Sequence, residues 1–143
     1  MRKDDDGTIL VLLLGFTAVL LLMVAVVVNV SSVILAKRAL VSAADGAAVS
    51  AAQSLDLDAL YARGLDSGRI PLDAAVARSR VAAYEAQAAG AQPGLQLVVE
   101  VSADGSTAIV RGRREVDLPF GRILGFAPVQ VEAEARARAP VSP

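Results

Sequence analysis

"TILVLLLGFTAVLLLMVAVVV" (Thr8–Val28) carries no charged residue, follows "MRKDDDG" (Met1–Gly7) and gives way to Lys37 and Arg38. At ~1.5 Å per residue a helix over this run covers ~30 Å, the thickness of a bilayer's hydrocarbon core. A signal-peptide core is shorter, about 7–15 residues, and ends at a small-residue cleavage site. The only such site, "SAA" at Ser42–Ala44, lies beyond two basic residues. A buried helix of a soluble protein fits no better, because the rest of a 143-residue chain is too small to surround it. Val24, Val26, Val27 and Val28 favour strand in water, but a lone span in lipid must satisfy its backbone internally and is therefore helical. Residues 8–28 read as a transmembrane helix and 1–7 as a charged leader.

Working outward, the helical pattern continues and becomes amphipathic. Val30, Val33, Ile34, Leu40, Val41, Ala44, Ala48, Ala51 and Leu55 recur at three- and four-residue spacing, with Ser31, Arg38, Ser42 and Asp45 on the other side. No proline occurs before Pro71, so one helix is expected from Thr8 to about Ser54, with 29–55 an amphipathic extension of the span. Gly15 and Gly46 weaken that helix without ending it. The small surface of Ala43, Ala44, Gly46, Ala47 and Ala48 suits close packing, most simply against the chain's own sheet. Asp45 reads as a solvated carboxylate, with a basic residue on a neighbouring subunit as the functional alternative.

Residues 56–143 read as a helix-plus-sheet head. "SLDLDALYARGLDSGRI" suggests a short helix, then a loop at Gly64, Asp66, Ser67 and Gly68. A second helix follows, with Pro71 in its first turn, Asp73 at the positive end of its dipole, and Gly90 and Pro93 beyond its end. Its apolar face is led by Leu72, Val76, Val81 and Tyr84. Past residue 94 the period becomes two. Leu95 to Val101 alternates, "ADGS" forms a tight turn, Thr107 to Leu118 alternates again, and "VQVEAEARA" sets Val129, Val131, Ala133, Ala135 and Ala137 against Gln130, Glu132, Glu134, Arg136 and Arg138. Arg111, Arg113 and Glu115 are placed to pair across strands with those charges. The fold class expected is α+β: a long N-terminal helix, a second helix and a small three-stranded antiparallel sheet.

Composition removes several function classes. The net charge is −1, without a basic field for nucleic acid. No cysteine and no histidine occur, so disulfides, thiolate metal sites and histidine-based nucleophile activation drop out. Asp56, Asp58 and Asp66 lack calcium-loop spacing, and no catalytic residue, metal or cofactor is expected. "LPFGRILGFAP" gathers Phe120, Ile123, Leu124 and Phe126 in a connection, where they either cap the head's own core or form a patch for a partner or the membrane. Arg2 and Lys3 before the span balance Lys37 and Arg38 after it, so charge leaves the topology open.

The leader "DDDG" before the apolar run, the continuation "LAKRALVSAADGAAVSAAQSL" and the ending "FGRILGFAPVQVEAEARA" together resemble the TadE/TadG-like proteins of tight-adherence (Flp) pilus assembly, of the short actinobacterial kind. The middle, residues 56–94, has no counterpart in that resemblance. It implies a non-enzymatic minor pilin or pseudopilin, working with other pilin-like subunits, platform proteins of the inner membrane, a secretion ATPase and a prepilin peptidase. It also implies a cytoplasmic N-terminus, an extracytoplasmic head, and homo- or hetero-oligomers built through the N-terminal helix. Leu12, Gly15, Phe16, Val30, Ile34, Leu40, Ala44, Asp45 and Ala48 are then the candidate assembly residues, and Gly7–Thr8 the candidate processing junction. Cleavage there would put Leu12 at the fifth mature position, where pilins carry a glutamate that compensates the new amine. Burying that amine uncompensated is costly, which disfavours a major filament subunit. The reading from another class is a membrane-tethered extracytoplasmic binding module unrelated to pili.

Overall fold

A computed structural model of the protein describes residues 3–55 and 71–139, with side chains from Gly7 onward. The short helix and loop expected within 56–70, with Tyr61 and the three aspartates, lie outside the described residues.

Helix α1 runs unbroken over Lys3–Ala52, 50 residues, which at ~1.5 Å each is ~75 Å. It starts before the expected Thr8 and stops just short of Ser54. Its end is tightened by the short-range bonds Gln53 N to Ser50 O (3.3 Å) and Ser54 N to Ala51 O (3.0 Å). Leu55 then bridges Leu72, and the Asp73 amide donates to the Ser54 carbonyl at 2.9 Å, seating the next element.

Helix α2 spans Ala74–Ala88. Pro71 was expected inside its first turn but precedes it. Asp73 takes the N-cap, its Oδ1 accepting from the amides of Ala75 (2.7 Å) and Val76 (3.1 Å). Donors left over at a helix start are best satisfied by such a carboxylate, so the cap fixes the boundary. The buried residues on this helix are Ala77 and Val81, whereas Val76 is exposed.

Strands β1 (Gln96–Val101), β2 (Thr107–Val116) and β3 (Val129–Arg138) form an antiparallel sheet in the order β1-β2-β3, as the alternation requires. The β1–β2 turn is held by Asp104, whose Oδ2 accepts from the Ser106 hydroxyl at 2.7 Å, and by Gly105 at φ 69°. Leu97, Ala108, Val110, Val116, Val131 and Ala135 point inward and are buried against α1, which lies across β2 and β3. Helix α2 packs on α1 and β1.

The face that α1 offers to this core keeps Leu40, Ala44, Ala48 and Ala51 of the expected stripe, drops Val30, Ile34 and Val41, and adds neighbouring alanines. Leu40, Ala43, Ala44, Ala47, Ala48, Ala51 and Ala52 are buried, with Val33 and Ala36 half-buried, while Val30, Ile34 and Val41 are exposed. Alanine lets the sheet and α2 approach, so the narrow residues rather than the wide ones mark the contact. Two glycines set the closest approaches. A Cβ on Gly46 would meet the Tyr84 hydroxyl oxygen at 2.4 Å, and one on Gly112 would meet Leu40 Cδ1 at 3.0 Å and Leu97 Cδ2 at 3.1 Å.

Candidate membrane and assembly interface

From Gly7 to Val28 every side chain of α1 is exposed except Ala25, which is half-buried. The first buried residue is Asn29, at 6% exposure. The bare apolar segment and the head therefore meet at Val28 and Asn29. Leu12, Gly15 and Phe16 lie within the bare segment, and a Cβ on Gly15 would touch nothing within 4 Å. Thr17 turns its hydroxyl back onto the Leu13 carbonyl at 2.8 Å, the usual way a polar side chain is silenced in an apolar helix. Among the described residues α1 is the one helix long and apolar enough to cross a membrane.

The β2–β3 connection is anchored at that same level. Asn29 Oδ1 accepts from the Phe120 amide at 3.0 Å. A short helix, α3 (Gly121–Leu124), follows, closed by Gly125 at φ 75° and by the Phe126 amide donating to the Gly121 carbonyl at 2.8 Å. Phe120 and Leu124 are half-buried. Ile123 is 80% and Phe126 56% exposed, so the loop does not cap the core with them. The opposite end of the sheet is away from this level: the β1–β2 turn bonds the segment that bridges Leu55 just beyond α1, with the Leu72 amide donating to the Gly105 carbonyl at 2.8 Å.

The outer sheet face carries the expected charges in register. Arg111 stands across from Glu134 and donates to it at 3.1 Å, and reaches Glu100 at 2.9 Å. Arg136 donates to Glu134 at 2.7 Å. The hydrogen bond from Arg136, then that from Arg111, holds the Glu134 carboxyl below the ordinary glutamate range. The bond to Glu134, helped by Glu100, raises the Arg111 pKa. All four groups are well exposed, so these pairs solubilise more than they stabilise. No group of three or more metal-ligating acidic side chains occurs among the described residues.

The candidate assembly residues separate into two sets. Leu40, Ala44 and Ala48 are fully engaged inside the head, whereas Leu12, Gly15, Phe16, Val30, Ile34 and Asp45 remain exposed on α1. Residues 7–54 match the family model described as "Putative Flp pilus-assembly TadE/G-like". Over its long helix the chain is similar to the TadE/G-like family. The match covers less than half of the sequence and coincides with α1 almost end to end. "LAKRAL" and "AADGAA" fall inside it, while the "FGRILGFAPVQVEAEARA" ending lies outside. No curated protein and no solved structure matches.

Two residues, Asn29 and Arg114, were not singled out from the sequence. Among the described residues, Asn29 is the one that joins α1 to the Phe120 loop by a side-chain bond. Arg114 occupies an inward register, opposite Val131, with its Nε buried and unpaired among protein groups. Its position was legible from the alternation of β2, since the even-numbered residues of that strand face α1.

Proposed function

We propose that the protein is a single-pass, non-enzymatic subunit of a tight-adherence pilus assembly machine, a minor pilin or pseudopilin that acts by lateral packing of α1. The observation that carries this reading is the coincidence of the TadE/G-like match with a helix that is bare and apolar over residues 7–28 and then becomes the spine of a folded head. Residues 8–28 serve as the span, 1–7 as a cytoplasmic leader, and the head stands outside the membrane. Leu12, Gly15 and Phe16 contact neighbouring helices within the bilayer, Gly15 admitting the closest approach because it presents no side chain. Val30, Ile34 and Asp45 carry the contact onward beyond the lipid. Leu40, Ala44 and Ala48 serve assembly only by holding the head on the helix.

Two measurements test this. The leucines and valines of the span are reordered at constant hydrophobicity and pilus assembly is scored in the native host. Assembly by packing predicts its loss; unchanged piliation would mean a simple tether and would overturn the reading. Intact mass and N-terminus are then compared between sheared surface material and washed membranes. A chain starting at Thr8 in the sheared fraction makes it a processed pilin despite Leu12; full-length chain found only in membranes makes it an anchored pseudopilin.

A further inference from the structure

We infer that the β2–β3 loop, Phe120–Phe126, is a second membrane contact: it lies in the headgroup region of the bilayer with Ile123 and Phe126 turned into the lipid. The inference rests on the reading of residues 8–28 as a span. Four observations converge on it. The loop is tied by the Phe120 amide to Asn29, the residue directly after the apolar run, so its height along α1 is fixed where the hydrocarbon ends. Ile123 and Phe126 are large, apolar and mostly exposed, whereas the other described loops of the head present polar or small side chains to water. The backbone of the loop is internally bonded, through Leu124 N to Phe120 O (3.0 Å) and Phe126 N to Gly121 O (2.8 Å). It can therefore enter a medium that offers few hydrogen-bond partners. Arg122, exposed beside Ile123, has the amphipathic reach to leave its stem in the apolar layer and its guanidinium among phosphates.

Lipid rather than a protein occupies this surface because the patch is continuous with the bare face of α1. Ala25 and Asn29 are one turn apart on one face of the helix, and from Gly7 onward they are the first side chains of α1 to be covered. The consequence is mechanical: one helix alone lets the head swivel about the membrane normal and tilt, while a helix plus an inserted loop gives it two points of support and a set tilt. The exposed assembly face of α1 would then be presented at a fixed angle.

The chain has no cysteine, so single labels can be placed cleanly. Full-length variants Ile123→Cys, Leu20→Cys and Ala103→Cys, each carrying an environment-sensitive fluorophore, are reconstituted in bilayers of zwitterionic and anionic phospholipid with no other protein. Lipid-borne and aqueous quenchers are then compared. The expected result is several-fold stronger lipid-borne quenching at positions 20 and 123, with position 123 at the shallower depth, and the reverse ratio at Ala103, which sits in the distal turn. Water-like behaviour at 123 with lipid-like behaviour at 20 overturns the inference and leaves the span intact, and protection of 123 only when other pilus proteins are added assigns the loop to a protein partner. Water-like behaviour at 20 means the span reading itself has failed. Asn29→Ala in the Ile123→Cys background should broaden and weaken the lipid signal at 123 while leaving that at 20 unchanged.

Discussion

Replacing Gly46 by alanine isolates the contact that brings α2 onto α1. In an unencumbered helix the change is favourable by about 1 kcal/mol, because glycine loses the most backbone freedom on ordering. Here the added Cβ would stand 2.4 Å from the Tyr84 hydroxyl oxygen and 2.9 Å from Cζ, where ordinary contacts begin at 3.4 Å. The ring must swing out of its half-buried seat or α2 must back away, and overpacking of that kind costs about 1–3 kcal/mol. The net expectation is destabilisation of about 1 kcal/mol in the natural background. With Tyr84→Ala already in place the obstruction is gone and the same substitution should stabilise by about 1 kcal/mol, a coupling of about 2 kcal/mol between the two positions. The assay is urea unfolding of the full chain in nanodiscs, read by amide exchange across β2, a signal common to all four members of the cycle. Equal stabilisation by Gly46→Ala in both backgrounds would refute the packing of Tyr84 across the helix.

Three more outcomes follow from the same contacts. Asn29→Ala leaves the Phe120 amide without its acceptor, which should cost about 1–3 kcal/mol and speed exchange of that amide ahead of the rest of the head. Asp73→Ala removes the α2 cap and should cost about 1 kcal/mol, seen as a lower urea midpoint with little change in slope. Glu134 has its pKa depressed by Arg136 and Arg111, so its contribution is complete above the ordinary glutamate value of 4.5 and is lost as pH falls below it toward the folded-state pKa. Glu134→Gln should therefore slightly lower stability at neutral pH, leave it nearly unchanged at low pH and so flatten the acid limb of the profile, an effect weakened further by salt.

Much of the architecture was written in periodicity. The switch from a 3.6 to a 2 period near residue 94 separates helices from sheet, and the strict alternation of β3 sets its charged face outward, because a strand has only two sides. The span needed still less: an uncharged run of that length admits one conformation in lipid. The limits of the reading were in angle and pairing. A helix with apolar residues on most of its circumference does not announce which of them it buries, and bulk misled: Val30, Ile34 and Val41 stay outside while the alanines go in. The deciding term is the distance of approach, which depends on what the sheet and α2 present, at Gly112 and Tyr84, far along the chain.

Residue order by itself determined that a membrane-length helix leads into an α+β head with a charged outer sheet, since those features arise from local hydrogen-bond economy and side-chain period. Only tertiary structure decided that Asn29 is the point where the β2–β3 loop meets α1, setting Ile123 and Phe126 at the rim of the span. A hydrogen bond between residues so distant in sequence leaves no periodic trace, because neither the Asn29 side chain nor the Phe120 amide is constrained by its chain neighbours to make it.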